Sequence, residues 1–594
     1  GDALTDADKN IAIGYNALTA DTLGSRSVAI GVGTLGTQNF TTATSAYNVG
    51  VGHNAGTAVT VGTINTLIGG IAGAALTTGD SNVAVGYVAL QSDTQGDRNV
   101  AIGAGALKTQ NFTTSTSVYN VGIGYDAGAA VTTGKENTIV GGLAGDALTV
   151  GSNNAVLGYF ALSTDTKGSL SVAIGTSALE SQNFTTATNT YNVAVGAAAG
   201  ASVTTGDRTT LVGGLAGDAI TTADANTAVG YEALSGETGA EVNVAIGFQA
   251  LKAQNIGSGS GNNTAVGSNA GLSVTTGFEN VLIGASAGDA LTNSDRNTAV
   301  GYASLTSNTL GQYNTAIGYA ALLIANHTTA TDAYNTAVGY GAGSQVTTGV
   351  QNTLIGAVAA DAMTTGSNNQ FIGYSAAGAG VITGSGNTGI GVSALAFLTS
   401  GSNNVAIGED AGQSLTTGSN NTFLGHDAGI TGSPGGNFVG ASNGFCLGDE
   451  NIADLNCQVV LSVASDQRDK TDFVDLDLGL DFVKALEPVT YYWDKRSKYG
   501  DKYADDYDLN AQTPDGTHKE DWMDIGFKAQ AVRDLEEAAG YTAAAKKNLT
   551  VSLTQDGKQY SLKYEKFVPI LVKAIKDQDA IITSLTARVA ALEA

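Results

Sequence analysis

Cysteine, histidine and proline are nearly missing from this chain, whose 594 residues hold 2 Cys, 4 His and 4 Pro. The four histidines, His53, His327, His426 and His518, are scattered, so neither a metal centre nor a histidine-based catalytic site is expected. Cys446 and Cys457 lie 11 residues apart and allow one disulfide in an oxidising compartment, with buried free thiols as the alternative. Positive charge is also short. With 27 Lys+Arg against 53 Asp+Glu, the net charge of -26 opposes nucleic acid and anionic membranes, because like charge gives no counterion release. No run of 18 apolar residues occurs, so membrane insertion is not expected. No phosphate-binding loop is present, and no cofactor is expected.

What the chain has in excess is glycine, 81 residues of it, and repetition. The unit Asn-[Val/Thr]-Ala-[Ile/Val]-Gly recurs twenty-four times, from 10-NIAIG-14 to 421-NTFLG-425. Unit starts at 10, 27, 48, 65, 82, 99 and 120 give spacings of 17, 21, 17 and 17, repeated, so four units make a superperiod of 72, as from Ser27 to Asn99. The opening 1-GDALTDADKNIAIGY-15 aligns with 217-GDAITTADANTAVGY-231, so the chain is expected to begin inside a repeat, with any leader or anchoring domain upstream.

A repeat of this length with strand chemistry, glycine turns and no helical periodicity indicates a parallel β-solenoid or β-roll of about 24 rungs. The aliphatic three residues after each start (Ile13, Ile30, Val51, Ile68) is the expected core stack. The residue two after the start, Ala or Gly in most rungs but Leu or Ile in every fourth (Leu67, Ile139, Leu211), forms a mostly small face suited to packing on another surface. The invariant Gly that follows fits a corner with positive φ or a close backbone approach. A second short strand is expected, as at 130-AVTTG-134, and the Asn column should stack as a ladder that satisfies turn amides. At about 4.8 Å per rung the stack would reach roughly 110 Å.

These Ala-Ile-Gly rungs resemble the head repeats of trimeric autotransporter adhesins, which form a left-handed parallel β-roll packed as a trimer. The resemblance implies a trimer. The rungs here are longer, so handedness does not carry over.

Composition changes abruptly at 461-LSVASDQRDKTDF-473. Before Ser465 there are 9 Lys+Arg and 29 Asp+Glu; from Ser465 on, 18 and 24. Ser465, Asp466, Arg468 and Lys470 spell S-D-x-R-x-K, and 480-LDFVKALEPVTYYW-493, 525-IGFKAQAV-532 and 564-YEKFVPILVKAIKDQDAIITSL-585 follow in order. Together these segments resemble the intramolecular chaperone of endosialidase family, the self-cleaving C-terminal domain of phage tail fibres and tailspikes. The resemblance implies an α+β domain that trimerises the fibre and cuts the Ala464-Ser465 bond once, with Ser465 as hydroxyl, Lys470 as base, and Asp466 and Arg468 supporting the loop. A serine hydroxyl needs a base, and a lysine serves only when desolvation favours its neutral form. Asp469 beside Lys470 works against this if its carboxylate turns inward. Ile575, Gln578, Ile582, Leu585, Val589 and Leu592 form an a/d seam, the mark of a terminal coiled coil. The expected division is a shaft over 1–430, a capping junction over 431–464, the chaperone over 465–570 and the coiled coil over 571–594.

Each long rung also carries an extra loop, as in 37-TQNFTTATSAY-47, with Phe40, Phe112 and Phe184 at equivalent places. Such rings either stack on sugars of a surface receptor or glycan, or fold back to cover the solenoid flank. Asn39, Asn111, Asn183 and Asn326 head Asn-x-Thr sequons. The functional expectation is a homotrimeric attachment fibre on a virion or an extracellular surface. Its rival is a bacterial adhesin with an uncleaved C-terminal trimerisation cap.

Overall fold

A computed structural model describes the chain except residues 459–462, 503, 505, 543, 545, 546 and 548. Part of the capping junction, Leu461 and Ser462 included, therefore lies outside the described residues. The chain divides into two compact units, Gly1–Gly341 and Ala342–Ala594.

The first unit is a parallel β-solenoid. One three-residue strand per turn, from Ile11–Ile13 to Thr336–Val338, stacks on the next in register, as Val83, Ala84 and Val85 do on Val100, Ala101 and Ile102. The invariant glycines take φ of about +130 to +147, and a Cβ on Gly86 would lie 2.4 Å from the Gly103 carbonyl oxygen. Both reasons for glycine hold at once. Gly86→Ala is expected to cost about 3 kcal/mol or more, from the disfavoured φ and the clash. Gly70→Ala, with negative φ and only the Tyr87 ring at 3.4 Å, should stay within about 0.5 kcal/mol; thermal denaturation of the pair checks this.

The Asn ladder forms as expected. Asn82 Oδ1 accepts the Asn99 N–H at 2.9 Å, and Asn82 Nδ2 donates to the Gly96 carbonyl at 2.9 Å, in a column that is fully buried. The expected second strand does not form at residues 130–134. Alternate N–H groups there bond to the next turn without strand geometry, Ala130 to the Asp146 carbonyl and Thr132 to the Thr149 carbonyl, each at 2.9 Å. Two-residue strands form instead where a longer turn follows a 17-residue one, one strand on each, as Gly96–Asp97 pairs with Thr116–Ser117.

The inside and outside of the strand are the reverse of the expectation. Ala29, Ala84, Ala101 and Leu67, two after each start, are completely buried, whereas Ile30, Ile68 and Ile102 are 36–37% exposed. Strand geometry sends residues one and three after the start to the same side and residue two to the other. The interior is too narrow to take the larger pair. Its bulk comes instead from a corner eight residues after the start, where Leu18, Leu35, Leu90 and Leu107 sit at φ of about +50 with their side chains fully buried. Left-handed leucine costs about 1–2 kcal/mol, which burial of the side chain offsets. In the turns around Leu67 that corner is Gly56 or Gly73, where a Cβ would come within 2.5 and 2.8 Å of the Leu67 methyls. The superperiod of 72 is thus an alternation of core volume between two columns.

The second unit begins with the same architecture, its strands running from Thr353–Ile355 to Phe445–Leu447. The last strand, inside the expected junction, pairs in parallel with Thr422–Leu424 and puts Cys446 in the core column. Both cysteines are free thiols, Cys446 buried and Cys457 exposed. An α+β region follows. Helices α1 (Leu480–Ala485), α2 (Ala529–Ala538) and α3 (Phe567–Glu593) accompany two antiparallel strand pairs, Val489–Tyr491 with Asp524–Gly526 and Val551–Leu553 with Tyr560–Leu562. Leu478, Phe482, Val532, Val551, Phe567 and Ile570 make its core. Among the described residues, the last contact of helix α3 with its own domain is at Asp577, whose carboxylate accepts the Leu480 N–H at 3.1 Å, and the apolar side chains from Ile575 on are bare. Ile575 is 65% exposed and Leu592 87%, with Ile582, Leu585 and Val589 also bare. Among the described residues, no helix is long and apolar enough to cross a membrane.

Candidate functional site

The S-D-x-R-x-K segment folds into a single tight turn. Asp466 caps the short 3-10 helix Gln467–Asp469, accepting the Arg468 N–H at 2.9 Å and its guanidinium at 2.6–3.2 Å. These hydrogen bonds from Arg468 hold the Asp466 carboxyl below the usual carboxylate range and push the guanidinium up. Their structural effect is to reverse the chain. Lys470 therefore reaches back to Ser465, its Nζ donating to the hydroxyl Oγ at 2.5 Å and to the Ser465 carbonyl at 3.3 Å.

The sequence pairing of Ser465 with Lys470 is thus a contact within one chain, and Asp466 with Arg468 forms the brace that makes it. Ala464 precedes the turn in irregular, exposed backbone. Among the described residues, no carboxylate oxygen, that of Asp469 included, forms an ion pair within 4.0 Å of Lys470 Nζ. Ser465 and Lys470 are both exposed in the single chain.

The loop phenylalanines are elsewhere and inward. Phe40, Phe112 and Phe184 are 4, 6 and 7% exposed, so these rings cover the flank and offer no face to a sugar. A buried acid holds each loop. Asp93 accepts the Gly96 N–H at 3.1 Å, the Phe112 N–H at 3.0 Å and Gln110 Nε2 at 2.6 Å. Asp21 and Asp165 repeat the arrangement with Gln38 and Gln182. The recurrence of Asp and Gln 17 residues apart in the first three superperiods, continued by Glu237 and Gln254 in the fourth, is the sequence signal for a fastened loop.

A second polar cluster was not foreseen from the scattered histidines. His426, Asp427 and Asp449 bring ligand-type atoms within 4.8 Å of one another. The Lys502 ammonium enters the same place, 2.6 Å from Asp427 Oδ2 and 3.2 Å from Glu450 Oε1. Burial opposes the charge on Lys502, but the hydrogen bond to Asp427 and the charges of Glu450 and Asp427 outweigh it and raise its pKa. Burial also opposes ionisation of Asp449, and hydrogen bonds from Asn451, the charge of Lys502 and His426 outweigh it and lower its pKa.

A search of curated proteins and one of solved structures returned no match. The family model described as chaperone of endosialidase matches residues 465–541, beginning at the serine of the turn. This chaperone of endosialidase region, following a long parallel β-solenoid, fits a tail fibre or tailspike with a C-terminal chaperone domain.

Proposed function

We propose that the chain forms a homotrimeric attachment fibre whose C-terminal domain aligns three copies and then cuts the Ala464-Ser465 bond. The observation that carries this reading is the outward face of the solenoid sheet. Val28 and Ile30, Val49 and Val51, Val100 and Ile102 follow one another turn after turn on a surface that water does not favour. Helix α3 bares a second apolar seam from Ile575 to Leu592, spanning roughly 25 Å at 1.5 Å per residue. Two uncovered apolar surfaces on one chain are accounted for together by further copies of the same chain. The α3 seam would bring the copies into register and the solenoid faces would then close on each other.

In this reading Ser465 Oγ attacks the Ala464 carbonyl carbon while Lys470, as a neutral amine, takes its proton. The C–N bond breaks, the proton passes to the leaving Ser465 nitrogen, and water then hydrolyses the Ala464 ester. The site is exposed in one chain, so the desolvation that favours a neutral amine has to come from neighbouring copies. Cleavage is then coupled to assembly. The working division remains a shaft over 1–430, a junction over 431–464, a chaperone over 465–570 and a coiled coil over 571–594, used on a virion or an extracellular surface. Light scattering on the purified Ser465→Ala protein tests the assembly: three chain masses are expected, and one chain mass sinks the reading.

A further inference from the structure

The uncut chain joins solenoid and C-terminal region through residues 451–464, but a second connection is not covalent. Pairing of Phe445–Leu447 with Thr422–Leu424 sets the corner at Gly425 to Asp427 beside Gly448 to Glu450, with Gly448 N–H on the Leu424 carbonyl at 2.7 Å. Three carboxylates, Asp427, Asp449 and Glu450, are buried at this final turn, and His426 stands at its rim, 3.4 Å from Asp427 and 3.6 Å from Asp449. Such a concentration of buried acid needs a cation close by. Lys502 supplies it from the C-terminal region, its side chain only 14% exposed. Lys495 Nζ donates to the Glu450 carbonyl at 2.5 Å and pairs with Glu520 at 3.3 Å.

Further contacts, from backbone and side chains, ring the plug. The Asp556 carboxylate accepts the Asn437 N–H at 3.1 Å, Gln555 N–H donates to the Gly435 carbonyl at 3.2 Å, and Gly432 packs so tightly on Ser497 that a Cβ there would lie 2.7 Å from the Ser497 Cβ. We infer that the C-terminal region is a clamp plugged into the last solenoid turn through Lys502, and that it stays bound when the connecting chain is broken. Cutting and release are then separate events: the first needs one peptide bond, the second withdrawal of an ammonium from a buried acidic socket.

The test is made in Ser465→Ala, where self-cleavage is disabled, so its outcome is independent of that reaction. Exposed residues 453–457 are replaced by a site for a specific protease, the protein is cut, and the pieces are followed by size-exclusion chromatography. One peak holding both pieces is expected. Lys502→Met, which leaves Asp427 and Glu450 facing each other without the ammonium, should speed dissociation on the order of 100-fold, and the pieces elute apart. Pieces that separate in the parent on cutting, or a Lys502→Met protein that holds as firmly as the parent, overturn the inference. Should Lys502→Met fail to fold, Glu450→Gln is read in its place: faster parting supports the plug and parent-like retention refutes it.

Discussion

Ser465→Ala should leave a single band of full length where the parent chain yields a fragment of residues 465–594. The expected effect is complete on the timescale of purification, because the variant has no atom to carry the acyl group. Lys470→Arg should block the cut as fully, since a guanidinium does not give up its proton at any working pH and so cannot receive one from Ser465. Asp466→Ala separates geometry from chemistry. It removes the brace that turns Lys470 onto Ser465, and it should slow cleavage by roughly 10- to 100-fold without abolishing it. If parent and Ser465→Ala both run as intact chain, self-cleavage is wrong, and the C-terminal domain is a cap. The same gel then decides for the rival reading of an uncut adhesin.

Replacing Ile68, Ile102 and Ile174 together by Asp should reduce the particle from three chains to one at micromolar concentration, with association weakened at least 1000-fold. In one chain these side chains lie on the outer face of the strand, Ile68 and Ile102 exposed and Ile174 half-buried, so the substitutions cost the solenoid less than a core change; the fully buried Ala101 and its Asn ladder are untouched. In a trimer closed on this face, three carboxylates per chain would be buried without cations, at several kcal/mol each. Circular dichroism should keep its β signature while sedimentation reports the lower mass. A trimer that survives the triple substitution is held by another face. The contrast with Leu67→Asp is instructive, since that carboxylate would lie inside the single chain and should prevent the turns from stacking at all.

The solenoid was legible because each demand is local: a glycine under the next turn's carbonyl, an asparagine amide between two turns. The strand faces are not legible in the same way, because alternation defines two faces without saying which is inside, and the larger aliphatics, which suggest the core, face outward. The deciding residues, Leu18, Leu35 and their equivalents, adopt a left-handed conformation that breaks strand alternation, and nothing in their own identity announces it. Ser465 and Lys470 are five residues apart, so their meeting could be anticipated. Lys502 and Asp427 are 75 residues apart, and their pairing depends on how the C-terminal region docks.

The alternation between leucine and glycine at the inner corner bears on how such a gene changes length. Loss of a single turn around Leu67 would set unlike corners against each other, leaving a void or a collision inside the stack. Loss or duplication of four turns, 72 residues, restores every neighbour. Recombination between repeats should therefore be tolerated in whole cassettes of four, and lineages carrying this protein should differ in solenoid length by multiples of that step.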